Sequence, residues 1–303
     1  MRVAAIDCGT NSIRLLIADV HGDRLTDVAR RLELVRLGEG VDRTGRLAPA
    51  AIERTRRALL GYAAEIAELG IERVRMVATS ASRDATNADD FRTMVRAVLG
   101  VSPEVISGDE EARLSFAGAV HGLDAEPPYL IVDIGGGSTE FVTGSRTVEH
   151  AISVDIGCVR MTERHLRSDP PAAAEIAAAE RDITAAVDAA LAAVSGREAR
   201  TLVGLAGSVT TVTALALGLP EYDATRIHHT RIAYDEVAKV TADLLAAPVA
   251  RRLDLPVMHP SRADVIAAGA LILRLIMERS GMDAVVASEH DILDGIAWGL
   301  ARL

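Results

Sequence analysis

The sequence has 303 residues, of which 33 are basic and 43 acidic, and its formal net charge is −10. Hydrophobic residues make up 49% and charged residues 25%, a composition that is typical of a folded globular protein and excludes a largely disordered chain. The acid excess argues against non-specific binding of nucleic acid or anionic membranes, because both depend on summed positive charge. Two cysteines, Cys8 and Cys158, are too few for a disulfide framework, so we expect a cytoplasmic protein.

The first predicted element is a strand over Val3–Ile6, and apolar runs that alternate with helical periodicity predict an α/β protein. The strand leads into Asp7-Cys-Gly-Thr-Asn-Ser12, which precedes a second strand-like run, Ile13–Val20. A turn of Gly, Thr, Asn and Ser lets successive N–H groups point at one centre, and it therefore favours an anion such as phosphate. Because Asp7 would repel a bare phosphate, we expect a divalent cation, most simply Mg²⁺, between the two.

A predicted strand at Arg73–Ala78 leads into Thr79–Asn87, which contains hydroxyls, an arginine and an asparagine. Such polar residues after a strand indicate a binding loop, because α/β proteins place their sites at strand ends. Arg83 is the candidate phosphate clamp in this loop. The alternative is a local ion pair with Asp84 or Asp89.

Three carboxylates cluster in Ser107–Arg113. If Ser107 caps a helix, Glu110 completes a capping box and Asp109 interacts favourably with the positive end of the helix dipole. Glu111 is not needed for the cap, so it is the candidate general base that polarises a water molecule. The alternative is a solvated carboxylate in the first helical turn.

The segment Gly122–Pro128 is the expected domain boundary, because its double proline can continue neither a helix nor a central strand. We therefore expect an N-terminal domain over residues 1–124 and a second domain over 125–290. A helix over 291–303 is expected to pack back on the first domain.

Asp133-Ile-Gly-Gly-Gly-Ser138 repeats the first turn, with Asp, Gly two residues later and Ser five residues later. It also lies between two strand-like runs. A single glycine-rich turn often only reverses the chain. Two copies with matching positions instead indicate a duplicated domain with one phosphate-binding hairpin in each half.

Arg160, Arg164 and Arg167 are spaced four and three residues apart, so on a helix they form one basic stripe. This stripe is a candidate track for a polyanion. The alternative is an ordinary solvated helix face.

A third glycine turn, Leu205–Thr211, follows the predicted strand Leu202–Leu205 and opens a helix. The N–H groups at a helix N-terminus favour an anion. The alternative is a tight turn without a ligand.

Five segments together resemble the exopolyphosphatase/guanosine pentaphosphate phosphohydrolase (Ppx/GppA) family, in its short two-domain type. They are Asp7–Arg14, Thr79–Asn87, Ile106–Leu114, Asp133–Glu140 and Leu205–Thr211. The resemblance implies two ribonuclease-H-like domains of the actin, sugar-kinase and heat-shock ATPase superfamily, facing each other across a cleft. It also implies hydrolysis of the terminal phosphate of inorganic polyphosphate, with Mg²⁺ and release of orthophosphate.

The resemblance further implies individual roles. Glu111 matches the family's catalytic glutamate, which activates the attacking water. The positions near the metal are Asp7, Asp133 and Glu140. The positions around the phosphates are Thr10, Asn11, Ser12, Arg83, Gly135, Gly136, Gly137 and Ser138, to which the third turn adds Gly207 and Ser208. The stripe Arg160, Arg164 and Arg167 is the candidate polyphosphate track.

The sequence departs from the family pattern in two respects. Thr10 stands where serine is commoner, which keeps the hydroxyl. Long family members continue into a domain related to metal-dependent phosphohydrolases, whereas this sequence stops at Leu303, so we expect shorter polyphosphate chains as substrates.

Three other functions are alternatives to polyphosphate hydrolysis. The first is removal of the 5′-terminal phosphate of guanosine pentaphosphate, although aromatic residues make up only 3% and offer little stacking for a base. The second is a sensor that binds polyphosphate or nucleotide without hydrolysis, and the third is an ATP-dependent kinase or ATPase of the same fold. The resemblance also makes a homodimer a reasonable expectation.

Overall fold

The computed structural model describes residues 1–22 and 24–302. The chain divides into two compact units, residues 1–118 with 292–303, and residues 119–291. Each unit contains a mixed β-sheet with helices, so the protein is of the α/β class, as predicted. The division falls at the end of a helix, before the boundary at 124/125 that the double proline suggested.

The first sheet combines an antiparallel meander with two parallel strands. Its strands are β1 (Arg2–Cys8), β2 (Ser12–His21), β3 (Arg24–Leu34), β4 (Val74–Ala78) and β5 (Glu104–Val105). Their order is β3-β2-β1-β4-β5, with β1–β3 antiparallel and β1, β4 and β5 parallel. The helices of this part are α1 (Val41–Thr44), α2 (Pro49–Glu68), α3 (Ser80–Asp84), α4 (Ala88–Leu99) and α5 (Gly108–Ala119).

The second sheet repeats this plan. Its strands are β6 (Tyr129–Ile134), β7 (Thr139–Gly144), β8 (Val148–Val154), β9 (Thr201–Leu205), β10 (Arg231–Ala233) and β11 (Ala284–Ala287). From the other edge, this sheet has the order β8-β7-β6-β9-β11-β10. Its first five positions correspond to β3-β2-β1-β4-β5 of the first sheet, and β10 adds an antiparallel edge strand. This duplicated strand order is that of the ribonuclease-H-like fold implied by the family resemblance.

The second unit also contains seven described α-helices. They are α6 (Cys158–His165), α7 (Ala173–Ala193), α8 (Ala206–Ala216), α9 (Ala224–Ile227), α10 (Tyr234–Ala246), α11 (Val249–Leu253) and α12 (Ile266–Ser280), with short 3₁₀ turns at Gly196–Glu198 and Pro260–Arg262. Twelve of the fifteen residues of α12 are buried, which explains its nearly continuous apolar sequence.

The last helix, α13 (Ile292–Arg302), returns to the first unit. Successive side chains of a strand point to opposite faces of the sheet. Six of the seven residues of β1 are buried, so this strand is covered on both faces. Ala4 and Ile6 pack in a cluster with residues of α2 and α4, whereas Val3 and Ala5 pack in a cluster with α13. Among the described helices, none is both long enough and apolar enough to cross a membrane.

Candidate active site

The first loop, between β1 and β2, has its carbonyl oxygens occupied by the segment that follows β3. The Thr10 oxygen accepts from the Gly38 N–H at 2.8 Å, and the Asn11 oxygen accepts from Val35 and Arg36 at 3.1 and 2.8 Å. Within residues 1–22 and 24–302, the N–H groups of Thr10 and Asn11 make no hydrogen bond. Because a trans peptide holds N–H opposite C=O, this loop presents N–H donors on its other side, as an anion nest requires.

The second loop, between β6 and β7, is held in the same way by the start of α6. The three carbonyls of Gly135–Gly137 accept from the N–H groups of Cys158 and Val159, at 2.9 Å each, and from Arg160 Nε at 2.6 Å. The N–H groups of the last two of these glycines make no hydrogen bond in the described part of the chain. The N-terminus of α6 therefore fixes the loop, and the loop itself supplies the donors for an anion.

Two glycines that the sequence analysis missed permit this packing. A Cβ atom on Gly38 would overlap the Thr10 methyl group and lie 3.1 Å from Ala81 Cβ. A Cβ atom on Gly157 would lie 2.5 Å from the Gly137 nitrogen. Each glycine follows the third strand of its meander, so a closer comparison of the two repeats would have found the pair.

The segment after β4 has two different roles. Thr10 Oγ1 and Ser80 Oγ are 2.9 Å apart and buried, so the start of this segment contacts the first loop, as expected for a binding loop. The Asn87 side chain instead accepts from the Leu47 N–H at 2.8 Å and donates to the Leu47 carbonyl at 3.1 Å. Asn87 thus fastens two loops of the scaffold.

The strand residues before and after each loop are paired in register, with different charges in the two units. Asp7 is opposite Arg14, and Arg14 Nη2 lies 2.7 Å from Asp7 Oδ2. Asp133 is opposite Glu140, and both carboxylates are buried. Directly opposed residues on antiparallel strands have Cβ atoms about 4.5–5.5 Å apart. The second unit therefore places two carboxyl groups side by side where the first unit has an ion pair.

Glu140 is further oriented by two serines. Its Oε1 accepts from Ser138 Oγ at 2.8 Å and from Ser153 Oγ, on the adjacent strand β8, at 2.7 Å. Ser153 was not among the residues expected from the sequence, because its role depends on the register between β7 and β8. Among the described residues no group of three or more His, Cys, Asp or Glu is arranged to hold a metal. Mg²⁺ needs only one or two carboxylates, so the donor set Asp133 and Glu140 fits this ion.

The acidic cluster at the start of α5 is sorted by burial. Ser107 Oγ accepts from the Glu110 N–H at 3.2 Å, which caps the helix as predicted. The Glu110 carboxylate lies 2.8 Å from Arg75, so in place of the reciprocal half of a capping box it makes an exposed ion pair. Asp109 makes a similar exposed pair with Arg113 at 3.0 Å.

Glu111, by contrast, is buried, and its side chain retains 11% exposure. Arg83 Nη1 lies 3.2 Å from Glu111 Oε2 and also donates to the Ile106 carbonyl at 3.0 Å. Asp89, one of the alternative partners considered for Arg83, pairs with Arg92 at 2.8 Å. The structure thus brings together the two side chains that the sequence singled out as phosphate clamp and general base.

The third turn opens α8, and an arginine from a distant segment covers it. The Arg262 guanidinium lies against Gly207, where a Cβ atom would approach within 2.6 Å of Nη1. Arg262 Nη1 also lies 3.3 Å from Thr211 Oγ1. Ser208, the other predicted phosphate contact here, is buried. Arg262 was not predicted to lie here, because nothing in the sequence around Arg262 links it to the glycine turn.

The proposed basic stripe is not a single helix face. Helix α6 ends at His165, so Arg167 lies beyond it, and the expectation of a shared face is wrong for this residue. Arg160 bonds the second loop, and Arg164 pairs with Asp182 at 3.0 Å. Arg167 is exposed.

These features define a class of protein: two ribonuclease-H-like units, each with a hairpin loop that presents N–H donors, and a buried carboxylate placed beside an arginine. The model of the Ppx/GppA phosphatase family matches residues 16–301, and the chain belongs to this family. The resemblance seen in the sequence motifs is thereby confirmed.

Individual relatives cover nearly the whole chain. Exopolyphosphatase 2 of Mycobacterium tuberculosis is 51% identical over 314 aligned positions, which span 99% of this chain and 98% of the relative. The solved structure of an exopolyphosphatase-like protein superposes with a TM-score of 0.96 at 43% identity and covers 100% of this chain and 99% of its own. A Ppx/GppA family member from Aquifex aeolicus gives a TM-score of 0.82 at 32% identity, with 100% and 98% coverage.

Proposed function

We propose that this protein is an exopolyphosphatase that removes the terminal phosphate of inorganic polyphosphate, with Glu111 as the general base. The observation that carries the proposal is the buried Glu111 carboxylate, held 3.2 Å from Arg83 at the start of α5. The name of the Mycobacterium relative, at 51% identity, supports polyphosphate as the substrate.

In the proposed reaction, Glu111 accepts a proton from a water whose oxygen attacks the terminal phosphorus. A new P–O bond forms as the bond to the bridging oxygen breaks, which releases orthophosphate and a chain shorter by one phosphate. Loop N–H groups, together with the hydroxyls of Thr10 and Ser12, donate to phosphate oxygens and stabilise charge in the transition state. Positioning and charge stabilisation suffice here, and no side chain acts as a covalent nucleophile.

Mg²⁺ is part of the proposal. Asp133 and Glu140 would hold the ion. When bound, the ion neutralises charge on the phosphate oxygens. Arg14 already neutralises Asp7, with Nη2 of Arg14 2.7 Å from the carboxylate, which favours the second unit as the main source of ligands.

The next predictions concern the cellular compartment and the partners of the protein. Both cysteines are free and buried, which suits a reducing compartment, and we propose that the protein is cytoplasmic. A homodimer, the absence of nucleic-acid partners and activity on guanosine pentaphosphate stay predictions. Sedimentation of the purified protein tests the first of these.

The test of the general base is Glu111→Gln, which keeps the shape of the side chain and removes its basicity. We expect kcat for orthophosphate release to fall by about 10²–10⁴-fold, with polyphosphate affinity unchanged. Glu110→Gln is the matched control, because its exposed carboxylate is one residue away, and it should retain wild-type kcat. A fully active Glu111→Gln variant would exclude Glu111 as the base.

The same assay tests the substrate class. Wild-type protein is supplied with Mg²⁺ and short polyphosphate, long polyphosphate, guanosine pentaphosphate or ATP. We expect the highest kcat/KM with polyphosphate. Tight binding of polyphosphate without turnover would identify a sensor, and a preference for guanosine pentaphosphate would assign the alternative hydrolase activity.

A further inference from the structure

We propose that Gly295 of α13 is a positioning residue for Glu111, an inference that rests on the role proposed for Glu111 above. Helix α13 meets α5 at Gly295. A methyl group at this position would overlap the carbonyl oxygen of Leu114 and lie 2.8 Å from its carbonyl carbon. Contacts of a Cβ atom below 3.0 Å essentially do not occur, so an alanine here forces one of the two helices to move.

Such a movement reaches Glu111 directly. Leu114 follows Glu111 by three residues in the same helix, so the two lie on one side of α5, about one turn apart. Ala112, which lies between them in the sequence, and Ser115, which follows Leu114, are fully buried. This turn of α5 is therefore packed into the protein interior. A shift of the Leu114 backbone therefore carries the Glu111 carboxylate with it.

Helix α13 is the less mobile partner in this contact. Asp294, next to Gly295, is 2% exposed, and its carboxylate lies 2.7 Å from Arg30 on β3. Near the other end, Arg73 donates to the Leu300 carbonyl at 3.1 Å. Moving α13 would disturb a partly buried ion pair, and breaking such a pair is costly.

Apart from the contact between Glu111 and Arg83, the polar contacts that hold the start of α5 are weaker. The ion pair of Glu110 with Arg75 and that of Asp109 with Arg113 are on the surface, where such pairs contribute little. We therefore infer that a methyl group at Gly295 displaces α5 and, with it, the proposed general base. The glycine is required because the two backbones approach closely at this point.

The same helix supplies a matched control. Gly299 lies one turn after Gly295, and a Cβ atom there would meet only the Arg75 guanidinium, at 3.8 Å, which is an ordinary contact. Gly299→Ala makes the same chemical change in the same helix without the overlap. Since alanine favours a helix interior over glycine, this control should be at least as stable as the wild type.

The experiment compares Gly295→Ala and Gly299→Ala in steady-state hydrolysis of polyphosphate. For Gly295→Ala we expect kcat to fall on the order of 100-fold, because a displacement of about 1 Å in a catalytic group has effects of this size. KM and directly measured polyphosphate affinity should stay at wild-type values. Gly299→Ala should match the wild type in all three. Wild-type kcat in Gly295→Ala would overturn the inference.

The double variant Gly295→Ala/Glu111→Gln separates positioning from general damage to the fold. If Gly295 acts through Glu111, its substitution should not lower the residual activity of Glu111→Gln any further. A further 100-fold loss would show that Gly295 acts elsewhere and would reject the inference. Full activity of Glu111→Gln would overturn both the proposed function and this inference. An inactive Glu111→Gln together with wild-type kcat in Gly295→Ala would overturn only the inference about Gly295.

If Gly295→Ala does not fold, Asp294→Asn tests the same contact from the other side. This isosteric change weakens the anchor to Arg30 and adds no methyl group. We expect a smaller loss of kcat with unchanged KM, and this loss should again vanish in the Glu111→Gln background. A wild-type kcat for Asp294→Asn would then reject the inference.

Discussion

At the position where the first unit has Arg14, the second unit has Glu140, and this difference gives the two hairpins opposite characters. Arg14 neutralises Asp7 in the first unit, whereas Asp133 and Glu140 stand side by side in the second. Two adjacent buried carboxylates are stable when a cation or hydrogen-bond donors share the site. The identity of one cross-strand partner thus makes only the second hairpin a candidate for the cation site proposed above.

Ser153 provides a test of this site that does not depend on turnover. Its hydroxyl lies 2.7 Å from Glu140 Oε1, so Ser153→Ala removes a donor that orients the proposed ligand. We expect Mg²⁺ affinity to fall about tenfold, as is usual when a group that orients a metal ligand is lost. Mg²⁺ titration followed by calorimetry measures it. Ser145→Ala, in the turn of the same hairpin, should bind Mg²⁺ like the wild type, and equal affinities for both variants would contradict the prediction.

Among the elements, those with strong local patterns could be predicted and those fixed by distant contacts could not. The hairpins around Asp7–Ser12 and Asp133–Ser138 were expected because alternation and glycine turns are local patterns. Strand β3 was not expected, because most of its residues are exposed and five of the eleven are charged. Strand β11 was not expected, because it has only four residues.

The same distinction applies to the site. Glu111 could be separated from its neighbours because helix capping is a local rule. Ser153 and Arg262 could not be found, since their partners are many residues away and are set by sheet register and loop packing. The basic stripe failed at Arg167 because α6 is shorter than the spacing required.

The connection between α9 and β10 contains His229, whose titration predicts a dependence of stability on pH. His229 has a left-handed φ of +61° and stacks on His228 with ring centroids 3.7 Å apart, and burial together with the nearby His290 lowers its pKa below 6.5. Between the lowered pKa and 6.5 the unfolded chain binds more protons than the folded one. Stability therefore declines as the pH falls below 6.5.

His229→Asn removes this titration, and asparagine tolerates a left-handed backbone. Urea midpoints measured by circular dichroism at several pH values between about 5 and 8 should show a smaller acid loss in the variant than in the wild type. Parallel curves for the two proteins would contradict the assignment. Neutral-pH midpoints serve as the control, because the imidazole is then uncharged in both states.

At the scale of the whole molecule, the net charge of −10 must be reconciled with a polyanionic substrate. In the proposed site, loop N–H donors would attract phosphate locally without adding net charge. Arginines that are already paired, such as Arg164 with Asp182 at 3.0 Å, add little attraction for a long chain. Any extended track must therefore rely on exposed arginines such as Arg167.

Arg167→Glu tests this track. We expect affinity for long polyphosphate to fall about fivefold, the effect of roughly 1 kcal/mol at an exposed site, with less change for the shortest substrates. Arg146→Glu is the control for net charge, because it lies in the turn at the opposite end of β7 from the second loop. Equal losses at all chain lengths, or equal losses in both variants, would exclude the track.

The return of α13 to the first unit also has a consequence for biosynthesis. The contact between Leu114 and Gly295 joins segments that are separated by the whole of residues 119–291. During translation the second unit can therefore fold as a continuous stretch, whereas the first must wait for its last helix to leave the ribosome. A nascent chain that already has both glycine-rich loops still lacks the support of α5, so the proposed general base would reach its final position late in synthesis.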